Sequence, residues 1–296
     1  MTLSICMVVV TKDRESEVRR LLQSVKEQVR RPDRVVFVDS SEQSSLDRIA
    51  DELLGKDGPD TELIKVKCTL PGGRNIGTKA SRCDIVSFID DDTVLESRYF
   101  ATIAEFFESD LGRAAAGVEG EITNPLGGGG FRQLVRTSVS LLFFLSSPGK
   151  GYFRHSGWPR PVLSSSAPAK VSFVSGSNMS FRREIVEEFW FDEGLHSARA
   201  YEDVEFSQRV SKHHPLYHLP GARLQHLETV KARPPSAATA VSGVVNSRRS
   251  HRKNIPQSSK TRFALRLSFI GLFLHLAMAR SVDSLGPFLK AVFGRQ

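Results

Sequence analysis

The sequence predicts an α/β fold with a mostly parallel central sheet flanked by helices, followed by a basic, apolar helical C-terminal tail. Short β-branched runs alternate with helical patterns through residues 1–92, as in sheets built from strand–helix–strand units. Hydrophobic residues make up 40% of the 296 residues and charged residues 25%, which allows a sizeable core. Several strands end on polar residues, at the edge where such sheets bind ligands.

The first half of the chain divides into four strands separated by helical segments. The first strand is LSICMVVVT, and the helix that follows carries an apolar stripe of Val18, Leu21, Leu22, Val25 and Val29. Asp13 or Ser16 is expected to cap that helix. RVVFVD is the second strand, ending on Asp39, and TELIKVKC is the third. GGRNIGTKAS forms a turn into a helix, and DIVSFID is the fourth strand, ending on Asp90.

The second half is less regular. LVRTSVSLLFFL is a helix candidate that is too short to span a bilayer. Regular patterning returns in VSFVSGSNMSFRREIVEEFWFDEGL and in the helical pattern of YEDVEFSQRVSKHH. The stretch ARPPSAATAVSGVV has the composition of a linker.

The net charge of +8 belongs to the tail. From residue 231 onward there are twelve Lys or Arg and one acidic residue, Asp283, which leaves the first 230 residues at −3. Nucleic acid is therefore not a predicted partner of the main domain. The three cysteines have no CxxC spacing, and the N-terminus has no signal-peptide pattern, which together predict a reduced, cytoplasmic location.

Three consecutive carboxylates, Asp90, Asp91 and Asp92, follow an apolar strand. Because they repel one another, they need a cation or a polar ligand. They could form the acidic first turn of a helix, since DDDTVLESRYFATIAEFF continues in a helical pattern. A calcium loop would need spaced acids and a central glycine. A magnesium or manganese ion that holds nucleotide phosphates is favoured by Thr11 and Asp39, at the same edge of the sheet.

Three further segments carry chemical groups. Arg74 offers a cationic fork that suits a diphosphate, although GGRN alone also fits a simple turn, and no Walker loop is present. Glu202 and Asp203 begin a helix, where acids are common, or one of them is a general base for a hydroxyl nucleophile. His226 is a core histidine or a metal ligand.

The motifs VVVTKDR, FVDSS, GGRNIGTKAS, IDDDT, SGSNMSFRREIVEEFWFDEGL and YEDVEFSQR occur in this order. Together they resemble the family 2 glycosyltransferases, whose fold is called GT-A, over residues 1–230. The resemblance implies an inverting transfer of a sugar from a nucleotide-diphosphate sugar to an acceptor hydroxyl on a glycan, polysaccharide or lipid-linked sugar, assisted by Mn2+ or Mg2+. It also implies a nucleotide-binding half, residues 1–92, and an acceptor half, residues 93–230. The remaining sequence divides into a basic linker, residues 231–260, and a helical tail, residues 261–296.

The resemblance also implies roles for individual residues. The expected nucleotide contacts are Thr11, Arg14, Asp39, Arg74, Asp90 and Asp91. Asp92 is the expected metal ligand, with Asp90 and His226. Asp203 matches the catalytic base, and Glu202 would position the acceptor. The bulky Trp190 stands where the family has a glycine, and it and Asn178 are expected to contact the acceptor.

Two other functions are compatible with parts of the sequence. A nucleotidylyltransferase of related fold would carry a glycine-rich loop with Lys or Arg after the first strand, and VVVTKDR has no such glycines. A non-catalytic basic protein that binds lipid or nucleic acid would place all binding within residues 231–296.

The tail places the basic residues Arg248, Arg249, Arg252 and Lys253 before an apolar segment, residues 263–279, that Arg266 and His275 interrupt. This segment could lie on a membrane surface, pack on the main domain or a second subunit, or span a bilayer. We expect the first, on the cytoplasmic face, because the basic cluster suits anionic headgroups.

Overall fold

The computed structural model describes residues 2–55, 57–124, 131–146, 151–162, 164–195, 201–227, 236–278 and 282–294. Strands and helices alternate through the first half, in the order β1 (Ile5–Thr11), α1 (Glu15–Lys26), β2 (Arg34–Asp39), α2 (Leu46–Leu54), β3 (Asp60–Lys65), α3 (Leu70–Ala80), β4 (Ile85–Ile89) and β5 (Thr93–Leu95).

The second half mixes strands and helices and then becomes helical. Its elements are α4 (Tyr99–Glu108), α5 (Asp110–Arg113), β6 (Gly117–Ile122), α6 (Phe131–Leu142), β7 (Ala169–Val171), β8 (Asn178–Arg182), α7 (Arg183–Phe189), α8 (Glu202–Val210), β9 (Leu216–His226), α9 (Ser236–Asn254), α10 (Ser259–Met278) and α11 (Val282–Phe293).

The strands form one sheet in the order β3-β2-β1-β4-β8-β6-β9-β5, with β7 paired to β9. The four strands from β3 to β4 are all parallel. β8 runs antiparallel between β4 and β6, and β9 is parallel to β6. This architecture confirms the predicted α/β class with a mostly parallel central sheet flanked by helices.

The core has one layer on each face of the sheet, because alternate strand residues point to opposite faces. On β1, Met7 and Val9 join the layer under α1 and α4, while Cys6 and Val8 join the opposite layer. The first four residues of the predicted apolar stripe on α1 are buried. Val29 is 69% exposed, because α1 ends before it at Lys26.

Two local predictions are wrong, and one of the alternatives for the aspartate triplet is excluded. Arg14, not Asp13 or Ser16, occupies the N-cap position of α1, with no side-chain cap. Residues 72–75 lie inside α3, which starts earlier with a cap by the Thr69 side chain. The aspartate triplet does not open a helix, since the short strand β5 follows it and pairs with β9.

The predicted linker is also corrected, because residues 236–254 form α9, a helix of 19 residues. The helix packs against α8 and α11, and Ala240 and Val244 form a cluster with Phe269 and Phe288 from α10 and α11. α10 is long and apolar enough to cross a membrane by length and composition alone, and 33% of its apolar window is buried. The proposed division at residues 92, 230 and 260 stays a prediction.

Helix α3 lies close to β1 because glycines face valines across the contact. A Cβ atom on Gly77 would lie 2.3 Å from a methyl carbon of Val8, and one on Gly73 would lie 2.6 Å from Val10. Valine is stiff at χ1, and Val8 is buried, so neither side chain can move away easily. The helix can therefore approach the strand only with glycine at these two positions.

We predict that Gly77→Ala lowers the free energy of unfolding by about 1–2 kcal/mol. Overpacking costs about 1–3 kcal/mol, which exceeds the gain of up to about 1 kcal/mol from replacing a helical glycine with alanine. Denaturant unfolding measures the difference. The matched control is Gly243→Ala in α9, where no described atom lies within 4 Å of the new Cβ and stability should rise. Equal gains at both sites would contradict the close contact.

Candidate active site

A cavity of about 340 Å3 is lined by residues from both halves of the sheet. It contains seven of the residues that the sequence singled out: Arg14, Arg74, Asp90, Asp92, Glu202, Asp203 and His226. Residues more than 100 positions apart therefore meet in one place. They meet at the predicted edge of the sheet, beyond β1 and β4, as expected for parallel strands.

A metal-type cluster forms where β4 and β9 end. One ligand atom each from Asp90, Asp92 and His226 lies within 4.8 Å of the others. The His226 Nε2 atom is 3.0 Å from an oxygen of Asp92 and 3.9 Å from one of Asp90. β9 brings the histidine there, since His226 pairs with Thr93 and the Leu227 N–H donates to the Asp92 carbonyl. The two carboxylates suit a divalent ion such as Mn2+ or Mg2+, and the imidazole nitrogen offers a third ligand atom.

The middle aspartate of the triplet is held by the protein itself. Asp91 is 2% exposed and accepts hydrogen bonds from the Thr11 hydroxyl and the Arg14 guanidinium, both at 2.7 Å. Arg14 is also buried and reaches Asp92 at 3.2 Å. The positive charge of Arg14 thus offsets part of the repulsion within the triplet.

Asp39 has a buried oxygen without a hydrogen-bond partner. Its Oδ1 atom accepts from the N–H and the hydroxyl of Ser41, whereas Oδ2 has none among the described residues. Asp39 stands beside Thr11 at the ends of paired strands. An unsatisfied buried acceptor is costly, so this atom fits the N–H of a ligand.

Arg74, on α3, joins the first half of the chain to residues of the second half across the site. Its guanidinium donates to Glu202 at 3.2 Å and to the carbonyl of Gly176 at 2.9 Å, and it stacks near the ring of Phe191. The arginine is buried, and Glu202 is largely so. Glu202 is therefore oriented by Arg74 at the start of α8.

Asp203 also lines this cavity, where hydrogen bonds and nearby charges act on its carboxylate. The N–H groups of Gly176 and Val204 donate to its two oxygens at 2.9 and 2.8 Å. Burial, and after it the negative charge of Glu202, raise the pKa of Asp203 to about 7, while the two N–H bonds and Arg74 oppose the rise. A carboxyl with a pKa near neutrality can accept a proton efficiently.

The pKa of Asp90 is raised as well. Burial raises its pKa to about 6, against the nearby positive charges of Arg74 and His226. Asp91 and Asp92 add to the rise. A divalent cation at this position would favour the ionised form instead.

Two predicted acceptor contacts lie outside this cavity. Asn178 is fully buried, and its Oδ1 atom accepts from the Gly120 N–H at 2.6 Å, so it joins β8 to β6. Trp190 follows α7 and lines a separate cleft with Lys79, whose ammonium lies 5.3 Å from the indole centre. The sequence pattern around them did not show which way either side chain turns.

The site has further residues to which the sequence assigned no individual role, although residues 175–177 and Tyr201 lie within two of the motifs. Ser175, Gly176 and Ser177 form a loop that lines the cavity, and Thr239 lines it from α9. Tyr201 precedes α8 with a φ of 79°, a conformation that is rare for tyrosine. Its hydroxyl donates to the Gly157 carbonyl at 2.7 Å, and this anchor fixes the turn that presents Glu202 and Asp203. Such long-range contacts leave no local pattern.

Solved structures with similar folds are glycosyltransferases. They include TarS 1–349 of S. aureus (TM-score 0.55, 15% identity, covering 98% of this chain and 81% of that one). They also include the mannosyltransferase PcManGT from Pyrobaculum calidifontis in complex with GDP-Man and Mn2+ (TM-score 0.58, 12% identity, covering 100% of this chain and 77% of that one). A third is GalNAc-T7 with UDP, GalNAc and Mn2+ (TM-score 0.61, 16% identity, covering 96% of this chain and 58% of that one). These likenesses confirm the GT-A type of fold.

None of the curated protein sequences compared with this chain matches it. The family model described as glycosyl transferase family 2, however, matches residues 6–190. Because this match covers more than half of the sequence, the chain belongs to glycosyl transferase family 2.

Proposed function

We propose that the protein transfers a sugar from a nucleotide-diphosphate sugar to an acceptor hydroxyl, with inversion at the anomeric carbon. The observation that carries this proposal is one cavity lined both by the cluster of Asp90, Asp92 and His226 and by Asp203. The first group suits a diphosphate with its cation, and the second suits a hydroxyl that must lose a proton.

The donor would bind with its base near Asp39 and its diphosphate near the metal-type cluster. The unpartnered Asp39 oxygen can accept from an N–H of the base, beside Thr11. Arg74 lines the same cavity with its charge only partly offset by Glu202. Arg14 and Asp91 would affect donor binding indirectly. Arg14 pairs with both Asp91 and Asp92, and these contacts fix the position of Asp92. Similar folds carry GDP-Man in PcManGT and UDP in GalNAc-T7.

Asp90, Asp92 and His226 would hold the metal ion. When bound there, a divalent ion neutralises the charge that develops on the diphosphate leaving group. Asp92 is 3% exposed and already fixed by Arg14 and His226. The chain therefore supplies an ordered set of ligands, which is what precise placement of a leaving group requires.

Asp203 would act as the general base. The two backbone N–H groups fix the orientation of its carboxylate, and its pKa near 7 makes it a stronger base than an ordinary aspartate. The acceptor oxygen loses its proton to Asp203 while it attacks the anomeric carbon, and the bond from that carbon to the diphosphate breaks on the opposite face. Inversion follows from this geometry. Glu202, held by Arg74, would position the acceptor.

Residues outside the main cavity bear on the identity of the acceptor and on the cellular location of the enzyme. Trp190 and its cleft stay a predicted contact for a larger glycan acceptor, as an aromatic face suits a sugar ring. Asn178 is better assigned to the sheet, for the reason given above. The basic α9 and the apolar α10 support the prediction of a cytoplasmic enzyme that works at the membrane surface.

Membership of glycosyl transferase family 2 disfavours a nucleotidylyltransferase. The cavity with its cluster of chemical groups disfavours a purely non-catalytic protein. In the latter case all binding would lie in the tail, and replacing a residue of the metal-type cluster would change nothing. The experiments below separate these possibilities.

We predict that Asp92→Asn weakens manganese-dependent nucleotide binding by at least about tenfold, because even a group that only orients a metal ligand contributes about that much. Calorimetric titration of UDP, GDP and dTDP, with and without Mn2+, measures the effect. Asp110→Asn is the control, since Asp110 is 98% exposed outside the cavity. Unchanged binding in Asp92→Asn, or no nucleotide binding by the wild type, would refute the proposed donor site.

We predict that Asp203→Asn lowers kcat about 10²–10⁴-fold, the usual contribution of a general base. Its affinity for the nucleotide should stay near that of the wild type. A transfer assay with the nucleotide identified by titration measures kcat, and thermal unfolding shows that the variant is folded. Near-normal turnover in a folded variant would remove Asp203 from the mechanism.

We predict that kcat/KM rises as the pH increases through about 7 and then levels off. The raised pKa of Asp203 means that the base is protonated, and therefore inactive, below this range. The profile is measured at saturating Mn2+, and the residual activity of Asp203→Asn should be flat across the same interval. An unperturbed carboxylate stays ionised from about pH 5 to about pH 8, so a wild-type profile that is flat across this interval would contradict the proposed base.

A further inference from the structure

The three C-terminal helices enclose a groove that catalysis does not use. The groove has a volume of about 600 Å3 and is lined by aromatic and aliphatic side chains from α10 and α11. Ile270, Leu289 and Phe293 are 51%, 41% and 79% exposed along it. Large apolar side chains that lie together and open to solvent usually mark an interaction site.

A basic pocket of about 430 Å3 adjoins this groove. It is lined by Arg248, Arg252, Arg262 and Arg266, and it shares Arg248, Arg266 and Phe269 with the groove. Among the described residues, the acids near α9 pair with Arg249 and Lys253, and none pairs with Arg252, Arg262 or Arg266. The pocket therefore presents positive charge that no acidic side chain among the described residues pairs with.

Arg248 forms the common wall of the two cavities. Its guanidinium donates to the Ala291 carbonyl at 2.6 Å and to the Val292 carbonyl, and it lies 5.0 Å from the ring centre of Phe269. These contacts tie the ends of α9 and α11 to α10. Burial, and after it the positive charge of Arg252, lower the pKa of Arg248, as expected where like charges converge.

We propose that the groove and the pocket together bind one anionic phospholipid of a bilayer, with the phosphate on Arg252, Arg262 and Arg266 and an acyl chain along Ile270, Leu289 and Phe293. Guanidinium groups bind phosphate through paired N–H donors. The continuity of an apolar groove with a cationic pocket matches an amphiphile with one anionic end. Neither a neutral lipid nor a free phosphate matches both parts.

This site is independent of the proposed catalysis but is connected to it by α9. Thr239 lines the catalytic cavity, and Arg248 and Arg252 lie nine and thirteen residues further along the same helix. At 1.5 Å per residue, the two sites are about 14–20 Å apart along the helix axis. The lipid would therefore hold the catalytic cavity at a set distance from the headgroups.

Flotation with vesicles of phosphatidylcholine alone, or of phosphatidylcholine mixed with phosphatidylglycerol, tests the proposal. The wild-type protein should bind the mixed vesicles, and the double variant Arg252→Gln, Arg262→Gln should bind them about thirtyfold less, since each arginine near an anionic surface contributes about a factor of five. The matched control is Arg249→Gln, Lys253→Gln, which removes the same charge from the other side of α9 and should keep most of the binding. An equal loss in both variants would mean diffuse charge attraction and would overturn the site.

The apolar part needs its own test. Phe293→Ser with Leu289→Ser changes only exposed side chains and should abolish vesicle binding while nucleotide titration stays unchanged. Short-chain phosphatidylglycerol should protect the protein against thermal unfolding, whereas glycerol phosphate at the same concentration should not. Equal effects of the two ligands, or a dimer that Phe293→Ser dissociates without loss of vesicle binding, would each overturn the proposal.

Discussion

The buried ion pair between Arg14 and Asp91 is the constraint on which the site depends. Three carboxylates in sequence, two of them buried, could not occupy the end of β4 without a counter-charge. Arg14 supplies it from the start of α1, at 2.7 Å from Asp91 and 3.2 Å from Asp92, while Thr11 satisfies the second oxygen of Asp91. Asp91 is thereby paired within the protein, whereas Asp90 and Asp92 remain at the cavity with His226. Removing one partner from such a pair typically costs about 3–5 kcal/mol, so the frame of the site is also part of the fold.

A single loop then connects this frame to the proposed base. Ser177 accepts from the Asp90 N–H through its carbonyl, and the Ser175 N–H donates to the buried Glu119. Between them, Gly176 accepts from Arg74 and donates to Asp203. A Cβ atom at Gly176 would lie 2.8 Å from the Arg74 guanidinium and 3.2 Å from Asp203. The loop can thus hydrogen-bond both Arg74 and Asp203 only if residue 176 is glycine. Because one short segment contacts both the metal-type cluster and the proposed base, their separation is fixed.

The sequence predicted the parts of the fold that depend on local periodicity. The four parallel strands and the positions of Asp39 and Asp90 at their ends followed from continuous apolar runs. β5 was missed because it exists only through pairing with residues 224–226, which lie far away in the sequence. The sequence of α9 resembles a linker because the buried face of the helix is largely polar, with Ser242, Asn246, Ser247, Ser250 and His251 all buried. The direction of Trp190 and the left-handed turn at Tyr201 depend on tertiary contacts that no local pattern records.

The polar face of α9 joins this helix to α8 through directional hydrogen bonds. Ser250 donates to Gln208 at 2.6 Å and Asn254 donates to Glu205 at 3.1 Å, so α9 is bonded to α8 by specific directional contacts rather than by apolar packing alone. α8 begins with Glu202 and Asp203. A force on the far end of α9, such as binding to a bilayer, is therefore transmitted to the helix that carries the proposed base. An apolar contact could slide between nearly equivalent positions, whereas breaking buried hydrogen bonds leaves polar groups unpaired at a cost of about 1–3 kcal/mol each. The helix that looks like a linker in composition is accordingly suited to fix the orientation of the active site.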